Sequence, residues 1–64
     1  MYPAPPPVSH EKFREGWFAR ICNESIDMNP YANKISPTVE TILFASLWER
    51  GWMECNEAIL KSQN

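Results

Sequence analysis

His10, Cys22 and Cys55 are the side chains of this 64-residue chain best suited to bind a metal or attack a substrate. A protein metal site gathers three or four such ligands, usually at short spacings. Here they are single and widely separated, so no metal site is expected. A Cys/His nucleophile pair needs a third group to orient the base, and His10, in the first turn of a predicted helix, has no obvious one. Glu54 and Glu57 fall on the wet face of a predicted helix, where a solvated charge is the expected role. Phosphate-cradling loops are rich in glycine, whereas Gly16 and Gly51 are the chain's two glycines and stand alone. No catalytic, cofactor-binding or metal residue is assigned. The chain is expected not to be an enzyme and to need no cofactor.

The tryptophans are the other candidates. Trp48 and Trp52 are four apart and share a face on a helix. Exposed, they could stack on bases, but such platforms work within a positive groove. Glu49 and Glu54 flank this region, and the net charge is −2. Lys12, Arg14, Arg20, Lys34, Arg50 and Lys61 are scattered, with acids close to most of them. Nucleic-acid binders concentrate their basic residues on one face. The expectation is a core role for the tryptophans, with nucleic-acid binding weak or absent.

The elements that must position these residues are helical. Hydrophobic residues make up 44% of the chain and there are three Trp, three Phe and two Tyr, which is not the composition of a disordered protein. A core this small supplies only about 3–5 kcal/mol, so part of the aromatic surface is expected to be buried against something else. The N-terminal stretch is Pro-rich rather than basic and then apolar, and no apolar run reaches the roughly 20 residues of a membrane span. The expected setting is cytoplasmic, with no membrane contact, reduced thiols and no use of the sequon Asn23-Glu24-Ser25.

Residues 1–8 read as a Pro-rich extended arm and residues 9–64 as a single helical domain. The arm could serve as a ligand for a proline-binding groove; the plainer reading is a stiff tail that lays Tyr2 or a proline on the domain's aromatics. A first helix is predicted over 10–23, capped by Ser9. Phe13, Trp17 and Ile21 form its inner stripe, and Phe18 and Cys22 widen it. Residues 24–35 are a packed loop turning at Asp27-Met28-Asn29-Pro30, with Met28 and Tyr31 tucked beneath. A second helix is predicted over 37–61, with Ser36 as cap and Pro37 in its first position. Phe44, Trp48, Trp52, Cys55 and Ile59 form one stripe, Val39, Leu43 and Leu47 another, with Ile42 and Ala45 between. Trp17, Trp48 and Trp52 are expected to share one aromatic core with Phe13, Ile21, Tyr31 and Phe44.

Two strings resemble the ribosome modulation factor family, small bacterial helical proteins linked to ribosome inactivation in slow growth. Gly16-Trp17 leading to Pro30-Tyr31 is similar to that family's Gly-Tyr and Pro-Tyr blocks, with Ala19, Ile21, Ser25 and Met28 at matching places between. Trp48-x-x-Gly51-Trp52-x-Glu54 is similar to its Trp-x-x-Gly-Trp-x-Glu block. The resemblance implies a helix–loop–helix hairpin whose motif core is Gly16, Trp17, Pro30, Tyr31, Trp48, Gly51 and Trp52. Two departures stand out: the segment before Trp48 is longer by roughly two turns, and the family's basic residues are mostly absent, Glu24 standing where an Arg is expected.

The function these features imply is that of a small protein-binding regulator, bacterial or phage-encoded and acting on host machinery. The alternative is a ribosome-associated, hibernation-type factor contacting ribosomal RNA and proteins; a small modifying enzyme ranks last. A homodimer is also expected. The second helix outruns the first by roughly 16 Å, and an apolar band of Val39, Ile42, Leu43, Phe44 and Leu47 is too wide for one short partner to cover. Pairing of two such bands would make a helical bundle; the competing arrangement folds Pro3–Val8 or Met28–Ile35 back over the band.

Overall fold

The computed structural model describes residues 2–32 and 37–63. The chain is an all-α hairpin of two helices, α1 (Glu11–Ile21) and α2 (Val39–Ser62), linked through a short 3-10 turn at Ile26–Met28. Its Cα atoms span 42 × 24 × 14 Å, a single layer of two helices.

The cap of α1 is His10 rather than Ser9. Its ring Nδ1 accepts the Lys12 N–H at 3.0 Å. Ser9 is occupied otherwise: its hydroxyl donates to the Pro6 carbonyl, and its own carbonyl accepts from Arg14 Nη1 at 2.6 Å. At the other end α1 stops two residues short of expectation. Asn23 adopts a left-handed conformation, φ 66°. The Asn23 and Glu24 N–H groups then return to the carbonyls of Arg20 and Ala19, the paired bonds that terminate a helix at a residue tolerant of positive φ. Cys22 is left exposed at this end, and Phe18 is also exposed. Neither widens the inner face, because α2 packs on the side of Phe13 and Trp17.

The expected cap Ser36 lies outside the described residues, as do Lys34 and Ile35. Thr38 caps α2 reciprocally: its Oγ1 accepts the Thr41 N–H at 3.1 Å, and Thr41 Oγ1 accepts the Thr38 N–H at 2.8 Å. Two end groups are thus satisfied at once, and Pro37 sits ahead of the cap instead of inside the helix.

The helices meet at two glycines. A Cβ on Gly16 would fall on the Trp48 carbonyl, whose carbon is 2.7 Å away; one on Gly51 would fall on the Phe13 carbonyl, whose carbon is 2.8 Å away. Main chain therefore touches main chain. A crossing this close has no room for a ring, so the aromatics lie around it and not in one cluster. Phe13, Trp17 and Cys55 pack together with Ile21, Ala58 and Ile59 against them. Trp48 brings its main-chain carbonyl to the crossing, and its side chain is buried beside it. Trp52 is half-buried: its Nε1–H donates to the Glu24 carbonyl at 2.8 Å and the Arg20 guanidinium lies 5.7 Å from its ring centre. Tyr31 and Phe44 form a separate edge-to-face pair at 5.6 Å. The single shared core expected from the sequence is in this respect corrected.

The connection is nailed down by Asn29, which is buried. Its Nδ2 donates to the Ala45 carbonyl at 2.9 Å and its Oδ1 accepts the Tyr31 N–H at 3.0 Å. Asn29 takes the inward position that Met28 was expected to fill, and Met28 is exposed. Residues 2–6 carry no helix or strand, and Pro3, not Tyr2, reaches the core through a hydrogen bond from Trp17 Nε1.

Candidate functional site

With α1 on one side of α2, the opposite side of α2 is bare. At 3.6 residues per turn, Ile42, Leu43 and Ser46 fall within about 60° of Val39, whereas Trp48 lies half a turn round. Burial follows this geometry: Val39 is 85% exposed, Ile42 58% and Leu43 52%, against 3% for Trp48. Met53 and Leu60 extend the same outward side, where charges from Arg50 onward interrupt it.

The five residues expected to form an interface are divided by the structure. Val39, Ile42 and Leu43 face outward together. Phe44 turns inward, its ring 5.6 Å from Tyr31 and 6.1 Å from His10. Leu47 is half-buried and lines a cleft with Pro6, Val8 and Phe13. The outward patch is therefore narrower than the sequence suggested, because α2 presents Phe44 to the loop that follows α1.

Beneath that patch Phe44 stands on a polar network absent from the sequence reading. Lys12 Nζ lies 5.2 Å from the Tyr31 ring centre and 5.1 Å from that of Phe44. It also bonds Glu15 Oε2 at 3.0 Å, while the Tyr31 hydroxyl donates to Glu15 Oε1 at 2.7 Å. Tyr31 and then Glu15 raise the Lys12 ammonium above the usual lysine value, so it stays charged at neutral pH. Burial pushes Glu15 upward, but the Tyr31 hydroxyl and the Lys12 ammonium outweigh it and leave its carboxyl below the usual value. The network is a lock that joins α1, the loop and α2 through Lys12, Glu15, Tyr31 and Phe44. Position three apart on a helix was the signal for Lys12 and Glu15. Nothing local to Tyr31 pointed to them.

Of the motif residues, Gly16, Trp17, Trp48 and Gly51 converge at the crossing, and Tyr31 belongs to the lock. Pro30 is exposed and lines a cleft of about 470 Å³ with Phe18, Cys22, Met28 and Trp48. The Cys55 thiol is fully enclosed and burial pushes it above its ordinary value, so it sits as a neutral apolar group. Among the described residues no three His, Cys, Asp or Glu side chains gather as a metal would require, and no helix is long and apolar enough to cross a membrane. No family model matches the chain, and comparisons with curated proteins and with solved structures return no match.

Proposed function

We propose that this chain is a small non-enzymatic protein-binding regulator, and that the outward side of α2 at Val39, Ile42 and Leu43 is the surface through which it pairs with a second copy. The supporting observation is the exposure of three large aliphatic side chains on one helical face of a one-layer hairpin. Such surface is unfavourable in water, and an isologous pair of α2 helices would cover it while adding to a marginal core. The resemblance to ribosome modulation factor supports a bacterial or phage-encoded regulator acting on host machinery. Its two motif blocks each contribute one of the glycines at the crossing. Contact with ribosomal RNA is the weaker reading, since a net charge of −2 leaves little phosphate attraction.

Sedimentation at micromolar concentration tests the pairing. A dimer that Leu43→Glu converts to a folded monomer is the expected result; a folded wild-type monomer at that concentration refutes it. Co-sedimentation with ribosomes, with and without RNase, separates a protein partner from a ribosomal one.

A further inference from the structure

Trp17 is only 5% exposed, yet its indole N–H reaches away from the helix pair to the Pro3 carbonyl at 2.9 Å. A buried indole N–H needs an acceptor, and here it is the main chain of a proline-rich segment. Burial alternates along that segment: Tyr2, Ala4 and Pro6 are exposed while Pro3 and Pro5 are half-buried. Pro6 lines a cleft of about 260 Å³ with Trp17, Glu54, Glu57, Ala58 and Lys61. Proline-rich segments dock on aromatic grooves in this manner, because their stiff extended backbone loses little entropy and offers unpaired carbonyls.

We propose that the groove around Trp17 is a binding site for a proline-rich peptide bearing a basic residue, supplied by another protein, and that residues 2–7, which hold the Trp17 indole and form one wall of the cleft, act in cis as a resident competitor. Charge selects the basic peptide. The segment from Tyr2 to Val8 carries no charged side chain, whereas Glu54 and Glu57 rim the cleft. Their partners are Arg50 at 3.2 Å and Lys61 at 3.4 Å, both pairs largely in solvent and so weakly held. An incoming Arg gains an attraction that the resident segment lacks. Tethering selects a foreign protein over a second copy. A neighbouring copy offers the same segment, but the chain's own one competes at an effective concentration on the millimolar scale. The site uses Trp17 and the later half of α2, not Val39, Ile42 or Leu43, so it stands or falls separately from the pairing surface.

The test follows the Trp17 indole N–H resonance of the full-length protein during titration with two octapeptides. One is Tyr-Pro-Ala-Pro-Pro-Pro-Val-Ser, the chain's own segment; the other has Arg in place of the Pro that corresponds to Pro6, the segment residue beside Glu54 and Glu57. The Arg peptide is expected to move the resonance and to bind about tenfold more tightly, a preference that Glu54→Gln with Glu57→Gln removes. Loosening the resident segment by Pro3→Gly with Pro5→Gly is expected to tighten both peptides about tenfold. A Trp17 resonance unmoved by either peptide at millimolar concentration, in wild type and in a loosened variant of unchanged helical signal, overturns the proposal. Should the loosened variant lose its helical signal, the wild-type titration with the Arg peptide decides alone. A dimer that the loosened variant abolishes would mean exchange between copies and would also overturn it.

Discussion

Gly16 and Gly51 are placed reciprocally across the hairpin, Gly16 against the carbonyl of Trp48 and Gly51 against the carbonyl of Phe13, each carbonyl three residues before the other glycine. The contact sets the distance between α1 and α2, and every side chain around it is packed for that distance. Adding one methyl at either position forces the main chains apart. Gly16→Ala and Gly51→Ala are each expected to cost about 3 kcal/mol, the upper range for overpacking. That is most of the stability of so small a domain. Far-UV circular dichroism followed through thermal unfolding reads the outcome: retention of wild-type melting temperature in either variant would show that the crossing is looser than described.

Trp48 and Trp52 are expected to differ. Trp48→Ala removes a buried side chain, 3% exposed, and should cost about 3–5 kcal/mol. Trp52 is half-buried, and Trp52→Ala should cost about 2 kcal/mol, mostly its packing under Arg20 and the bond to the Glu24 carbonyl. Urea denaturation of the two variants checks the order, and equal losses would contradict it.

Asn29 serves two partners from one buried side chain, so Asn29→Ala is expected to cost about 2–3 kcal/mol. Asn29→Asp keeps the acceptor for the Tyr31 N–H but loses the donor to Ala45 and places a charge near a carbonyl, and it should be no better tolerated. Hydrogen exchange at the Tyr31 amide reads the local effect. Fast exchange in Asn29→Ala but not in Asn29→Asp is the expected pattern.

The lock around Glu15 predicts an acid-side dependence of stability. A carboxyl whose folded value lies below its unfolded one contributes stability above the unfolded value and loses it as pH falls through the folded value. The contribution of Glu15 is thus present at neutral pH and lost on acidification below the usual carboxylate range. Glu15→Gln and Tyr31→Phe should each flatten the acid limb of the melting temperature against pH. Lys12 works in the opposite direction, its contribution fading only in strong alkali above the usual lysine value. An acid limb unchanged in Glu15→Gln would show that other carboxyls cause it.

Much of the hairpin was legible because helical periodicity and glycine placement are local signals. The stripe of Phe13, Trp17 and Ile21 follows from spacing alone, and Gly16 and Gly51 stand in the motif core that the resemblance implies. The helix ends were less legible, since several residues compete to cap. Ser9 and Ser36 had the right chemistry, but His10 with Lys12 N–H and Thr38 with Thr41 fill those roles. The lock of Lys12, Glu15, Tyr31 and Phe44 was not legible, because it joins three elements whose relative placement no spacing encodes. The same reason explains Phe44. Its type and position suited an outward band, and only the path of the loop through Asn29 and Tyr31 gives it an inward neighbour.

The paired glycines also choose among alternative hairpins. Sliding α2 along α1 by one turn, about 5.4 Å, would bring Leu47 or Cys55 opposite the Phe13 carbonyl in place of Gly51. The reciprocal slip of α1 would bring Lys12 or Arg20 against the Trp48 carbonyl in place of Gly16. None of these side chains fits where a single Cβ already does not. The long connection between the helices would permit such misaligned pairings, and apolar residues at four-residue intervals would partly satisfy them. Two positions lacking a side chain therefore act against misfolded competitors as much as for the native pairing.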